Sequence, residues 1–385
     1  MKGLRVLLVA FVVVLLVPAR ALAQTGATVT LDASNGKIDF GRKVTLSGTS
    51  TGAPAGSMVQ ILDEAGTEVA AATTDGSGAF AVRIEPHGTN SYVAVLADAT
   101  SDPVTVAVRA ALSVRMAPVR LFDRVEVRGT VKPAREGEKV DVVLLHSGHD
   151  VDTKRVAMFA NGSFSATFTI EQPGTFRAQA TFEASDLLKG SARSKADATL
   201  LPNLSSGSSG TFVRLLEKRL VDLHYRLAGS KDGRYDFRTA DAVVAFHKVQ
   251  GMARTFTVDE ATWRRLAGPR PPRAQKDWRG FHFEVDQTKQ VLYTVKDGDV
   301  TNVLHVSTGA GGATHDGIFR VFSKLAGFSP HHLYYPSFFD GERALHGWTE
   351  VPTYAASHGC VRIPYWNAKW VYALADYGVR VVIHH

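Results

Sequence analysis

Cysteine is almost absent from this chain: Cys360 is the only one in 385 residues. No disulfide framework can brace the fold, and the one thiol stands alone. Long apolar runs are missing too. The run at 6–17 has twelve residues, fewer than the roughly 20 that a bilayer span needs. No basic tract with interleaved aromatics occurs, so nucleic acid is not an expected partner. His331-His332 and the other histidines lack Glu or Asp at ligand spacing, so no metal is expected.

The N-terminus reads as an export signal. Lys2 and Arg5 precede the apolar run, and Ala21-Leu22-Ala23 is an A-x-A cleavage site. A signal peptide over 1–23 implies an exported protein of the periplasm or cell wall, with no transmembrane segment after cleavage. No cysteine follows the site, so a lipoprotein anchor is not available. Lys2, Arg5 and Arg20 fall in this leader; the other 41 of 44 basic residues against 37 acidic ones leave a net +4. That mild charge is compatible with an anionic envelope.

With 45% hydrophobic and 21% charged residues the chain is globular, and its length suggests about two to four domains. Residues 27–108 and 109–200 read as two copies of one unit. Val44-Thr45-Leu46-Ser47-Gly48-Thr49 answers to Val125-Glu126-Val127-Arg128-Gly129-Thr130, and Phe80 and Tyr92 answer to Phe164 and Phe176. Short Val- and Thr-rich alternating segments between Gly, Asn, Asp and Pro turns predict two all-β Ig-like sandwiches. They lack the Cys–Trp–Cys signature and read as a stalk or a partner-binding surface. The Gly/Ser-rich stretch 201–210 predicts a flexible linker.

Between 211 and 268 the apolar period changes to three and four. Thr211, Thr239 and Asp259 are expected to cap three helices, with Gly251 and Gly268 closing the last two. This small three-helix bundle resembles the peptidoglycan-binding-like domain family. Its leading Leu-rich helix, Asp232-Gly233, the Thr239…Ala242-Val243…Phe246 helix and Thr262-Trp263-Arg264-Arg265-Leu266 carry the likeness. The resemblance implies glycan binding by 211–268; an inert scaffold is the alternative. A Pro-containing linker follows at 267–273.

The last unit, 277–385, reads as mostly β. Asp297-Gly298 between two alternating runs signals a hairpin. Trp366, Trp370, Ala373, Leu374 and Tyr377 are expected on one face of a helix that ends at Gly378. Near its C-terminus stand His346-Gly347 and Ser357-His358-Gly359-Cys360-Val361-Arg362. A thiol attacks carbonyls as the thiolate, and a histidine within reach can take its proton and return it to a leaving amine. His346 and His358 are both candidate bases, and spacing does not choose between them. Amides around Gly359 and Cys360 are candidates for an oxyanion hole. Arg362 suits a substrate carboxylate or a bond that holds the fold. Tyr334, Tyr335, Phe338 and Phe339 either line a cleft or pack in the core.

These motifs closely resemble the catalytic domain of L,D-transpeptidases, the YkuD-like family. Lys289-Gln290-Val291-Leu292-Tyr293, Ser307-Thr308-Gly309 and Thr314…Gly317-Ile318-Phe319 fit the same pattern. The resemblance implies that Cys360 is the nucleophile and His346 the general base, held by a backbone carbonyl near Gly347. It implies that His358 and Gly359 shape the oxyanion site, with Ser357, Gly347 and Arg362 beside the substrate. Two departures are His315, where Pro is common, and Trp348, where a polar residue often follows His-Gly.

The implied reaction uses peptidoglycan stem peptides as donor and acceptor. A cysteine thioester forms, D-alanine leaves, and a 3→3 crosslink results, with no cofactor. The competing readings are an L,D-carboxypeptidase, attachment of a protein to the wall through the same thioester, and a non-catalytic wall-binding protein.

Overall fold

The structure, a computed structural model, describes residues 26–385; the expected signal peptide lies outside them. Among the described residues no helix is long and apolar enough to cross a membrane. The chain forms two compact units. One holds the residues up to Ala111 together with Phe182–Ser191, the other Leu112–Thr181 and Ala192–His385. The segment 182–191, read above as part of the second repeat, joins the first unit. Leu188 pairs with Arg109, and the Thr89 amide donates to the Asp186 carbonyl.

In the first unit Val44–Thr51 pairs antiparallel with Ala79–Ile84, and Met58–Asp63 lies between Glu68–Thr73 and Asn90–Leu96. Alternation decides what is buried: Val44 and Leu46 enter the core with Val59, Ile61, Phe80, Tyr92 and Val106. In the second unit Arg124–Lys132 pairs with Ser163–Thr169, and Lys139–His146 lies between His149–Ala157 and Thr175–Ala184. The repeat is visible in one packing detail. Gly48 stands opposite Phe80 and Gly129 opposite Phe164. A Cβ on either glycine would meet the ring opposite at 2.7 or 2.2 Å, so the aromatic fills the space that the glycine leaves.

The helical part of the second unit comprises α1 (Thr211–Asp222), α2 (Phe237–Gln250) and α3 (Glu260–Ala267). Asp259 and Thr262 form a capping box on α3, and Gly251 ends α2 in the left-handed region. Two expected caps are corrected. Gly210, not Thr211, precedes α1. Asp236 caps α2 by accepting from the Arg238 and Thr239 amides, which frees the Thr239 hydroxyl to donate to buried Glu217 at 3.0 Å. The 201–210 stretch is not a free linker either. Leu204 pairs with Val258, Tyr235 donates to Ser208, and Trp263 Nε1 donates to Pro202.

The C-terminal part holds two sheets. A five-stranded sheet runs Asp299–His305, Val291–Lys296, Phe281–Asp286, Arg380–His384, Gly317–Arg320. A four-stranded sheet runs Ser323–Lys324, Tyr334–Asp340, Arg343–Trp348, Val361–Pro364. Asp297 and Gly298, both at positive φ, make the expected hairpin turn. Phe283, Leu292, Leu304, Leu345, Val361, Ile363, Val371 and Val381 form the core. Helix α4 (Tyr365–Leu374) ends four residues before Gly378 and buries Asn367, Ala368 and Val371, while Trp370 and Leu374 of the predicted face pack half-buried against the same core. Its tryptophans also meet the helical part: Trp366 lies 4.5 Å from Phe237, and the Arg226 guanidinium sits 4.0 Å above Trp370.

Candidate active site

The strands Arg343–Trp348 and Val361–Pro364 run parallel, with Leu345 opposite Val361, His346 opposite Arg362 and Gly347 opposite Ile363. Leu345, Val361 and Ile363 point into the core and fix this register. His346 is buried, and its Nδ1 lies 3.0 Å from the Gly347 carbonyl. A carbonyl only accepts, so Nδ1 carries the hydrogen and Nε2 is the basic nitrogen. Burial holds the imidazole down at about 4, Arg362 pushes the same way, and the Gly347 carbonyl opposes them. His346 is therefore neutral at neutral pH and able to accept a proton.

Cys360 enters the strand from a tight turn. Its Sγ is 3.7 Å from the Glu342 carbonyl. Burial raises the thiol above its ordinary value, while the Ala344 amide, Arg343 and Arg362 draw it down in part. The resting thiol is protonated and needs a base. Gly359 has a φ of 135°, and a Cβ there would lie 2.9 Å from both the Ala313 carbonyl and Arg343 Nε. Only glycine fits that approach.

The turn is locked by hydroxyls. The Ser357 hydroxyl donates to the Cys360 carbonyl at 2.5 Å and accepts from the Gly359 amide at 3.0 Å. The Thr314 hydroxyl donates to the Gly359 carbonyl at 2.8 Å and accepts from the Gly309 amide at 2.7 Å. Ser357 is thus committed to the turn, and the Gly359 amide is already spent. Of the two amides considered for an oxyanion hole, Gly359 N–H is engaged within the protein. His358 is exposed on the same turn. Because 357–360 is a bend and not a strand, the two-residue spacing does not give His358 and Cys360 a shared strand face.

Arg362 sits above Trp348 with its guanidinium 5.3 Å from the ring centroid, and the Trp348 ring meets His346 edge-on at 5.6 Å. Its backbone exchanges hydrogen bonds with Ser307. Among the described residues no carboxylate pairs with it. The arginine rests on a cation–π contact and not on an ion pair. Tyr334 stands opposite Gly347 and stacks on Tyr365 at 4.5 Å; Tyr335 meets Tyr334 and Tyr372 edge-on. A Cβ on Gly347 would come within 3.0 Å of Tyr334 and 2.7 Å of Ala368. Both tyrosines are half-buried, Phe339 is buried and Phe338 half-buried.

One group escaped the sequence reading. Arg343 donates through Nε to the Ala313 carbonyl at 2.7 Å, and its two terminal nitrogens reach Asp340 at 3.1 Å and His315 Nε2 at 3.0 Å. His315 Nδ1 closes the ring on Asp340 at 3.1 Å. This triangle backs the Gly359 turn. The available signal was His315 itself, already marked as a departure from the common Pro.

Residues 280–383 match the family model of the L,D-transpeptidase catalytic domain, and 209–266 that of the peptidoglycan binding domain. An L,D-transpeptidase structure from Xylanimonas cellulosilytica is 33% identical, with 49% of this chain and 98% of that one covered and a TM-score of 0.44. One from Stackebrandtia nassauensis is 28% identical over 47% of this chain and 95% of that one, with a TM-score of 0.30. No curated protein matches. On the matched residues and the 33% identity across nearly all of the Xylanimonas domain, the chain belongs to the L,D-transpeptidase family, with a peptidoglycan-binding domain ahead of its catalytic domain.

Proposed function

We propose that this protein is a cell-wall L,D-transpeptidase that forms 3→3 peptidoglycan crosslinks through a thioester on Cys360. The observation that carries this reading is the strand register. It sets buried, neutral His346 beside Arg362 and brings Cys360 in against the Glu342–Ala344 backbone of the same strand.

In the first step Sγ attacks the carbonyl carbon at the L-centre of the diamino acid in a tetrapeptide stem. The thiol proton passes to His346 Nε2. The C–S bond forms, the C–N bond to D-alanine breaks, and the proton leaves with the D-alanine amine. In the second step a neighbouring stem's amine attacks the thioester. A C–N bond forms, the C–S bond breaks, and the amine proton returns through His346 to sulfur. The Cys360 amide is the oxyanion donor that remains once Gly359 N–H is tied to Ser357. Arg362, paired with no carboxylate among the described residues, binds a stem carboxylate. The reaction places the enzyme outside the cytoplasm, with 209–266 gripping glycan.

Incubation with a stem tetrapeptide and mass analysis of the products tests the reading. A crosslinked dimer with one D-alanine released supports it. Tripeptide alone assigns the protein to L,D-carboxypeptidase chemistry instead.

A further inference from the structure

Besides the Arg226–Trp370 and Phe237–Trp366 contacts, the helical part reaches the catalytic part through Lys248 and Arg254. Lys248, in the last turn of α2, is 3% exposed. Its Nζ lies 2.8 Å from the Gln290 carbonyl, 3.1 Å from the Val306 carbonyl and 2.6 Å from His305 Nδ1. His305, also buried, presents Nε2 to the Val351 carbonyl at 2.8 Å. That carbonyl can only accept, so Nε2 carries the hydrogen and Nδ1 must accept from Lys248. Three acceptors then face three ammonium N–H groups. Burial favours the neutral amine and lowers Lys248 to about 6, Arg254 adds to this and Asp241 opposes it. An amine has two N–H groups for three acceptors, and the count decides for the ammonium.

Arg254, just past the end of α2, donates at 2.6 Å to the Thr353 carbonyl and at 2.7 Å to the Thr288 carbonyl. Val351 and Thr353 belong to the irregular segment 349–357, which joins the His346 strand to the Cys360 turn. From the catalytic side this segment is held further along. Ser307 donates to the Tyr354 carbonyl, and the Ala356 and Ser357 amides donate to Thr308.

We propose that the helical part is a positioning element of the active site: Lys248, through His305, and Arg254, directly, clamp residues 349–357 and so set the reactivity of Cys360. The proposal rests on the reading of Cys360 as the nucleophile. The family matches assign 209–266 to peptidoglycan binding and do not assign this second task.

The test compares the full chain with Arg254→Ala, Arg254→Lys and Lys248→Met. Three quantities are read: acylation of Cys360 by a carbapenem, backbone amide exchange, and the melting temperature. Misplacing a reacting group by about an ångström costs up to ~100-fold, so Arg254→Ala is expected to acylate roughly tenfold more slowly. Exchange should rise at 349–357 and not in the 281–305 strands, and Arg254→Lys should recover part of the rate. Lys248→Met should move in the same direction and further. If it fails to fold, Arg254→Ala, an exposed site, decides alone. Wild-type acylation in Arg254→Ala with unchanged exchange at 349–357 overturns the proposal, and so does a rise in exchange spread evenly over the domain. If the wild type itself is not acylated, the nucleophile reading fails, and the exchange pattern still decides whether the clamp exists.

Discussion

His346 and Arg362 face each other across a parallel strand pair, and each lies against the Trp348 ring. Burial, with a smaller contribution from Arg362, keeps the histidine basic nitrogen unprotonated, and Arg362 lies over the Trp348 ring. The residue that departs from the common family pattern is thus the platform of the site.

Removing the proposed base should leave the fold and stop the chemistry. His346→Gln is expected to slow acylation of Cys360 by about 10²–10⁴-fold, the usual worth of a positioned general base. Stopped-flow acylation at neutral pH measures it, with circular dichroism as the fold control. An unchanged rate would assign the proton transfer elsewhere, His358 first.

The same histidine makes a pH prediction. Its folded value is about 4 against an ordinary 6.5, so the unfolded chain binds more protons between the two. Stability is complete above about 6.5 and is lost as pH falls toward 4, by about 3 kcal/mol in total. Urea midpoints from pH 7 to 4 should fall more steeply in wild type than in His346→Gln. Parallel curves would contradict the assigned burial. Direct alkylation should behave in the opposite range, rising with pH beyond the ordinary thiol value because burial raises Cys360.

Gly359→Ala forces a Cβ against Ala313 and Arg343 at a φ of 135°. The strain should cost about 1–3 kcal/mol and displace the nucleophile. Denaturant unfolding and acylation rate should both drop. A fully stable and active variant would show that the turn relaxes freely.

Arg362→Gln tests the substrate carboxylate. A charge-assisted hydrogen bond is worth about 1.5–3 kcal/mol, so KM for a donor stem should rise roughly 10- to 100-fold. Amidating the donor carboxylate should weaken wild type by a similar factor and leave the variant unaffected. Equal losses in both proteins would give Arg362 a purely structural role.

Much of this was written in local sequence, and the failures have a pattern. The hairpin at Asp297-Gly298 and the α3 capping box depend on neighbours within a few residues. Thr239 was misjudged as a cap because Asp236 competes for the same amides. Apolar spacing put the tryptophans of α4 on one face but does not say that Phe237 and Arg226 of the helical part cover them. The bend at 357–360 was not legible, because spacing carries no information about a bend. Lys248 reads as an ordinary helix lysine, and only the long-range contact with His305 gives it a role.

The central claim is that Cys360 is the acylated nucleophile. The most direct test is the intact mass of the mature protein after exposure to a carbapenem, beside Cys360→Ala. The account predicts a single adduct on the wild type and none on the variant. No adduct on a folded protein with its thiol reduced, or an adduct that survives the substitution, would contradict it.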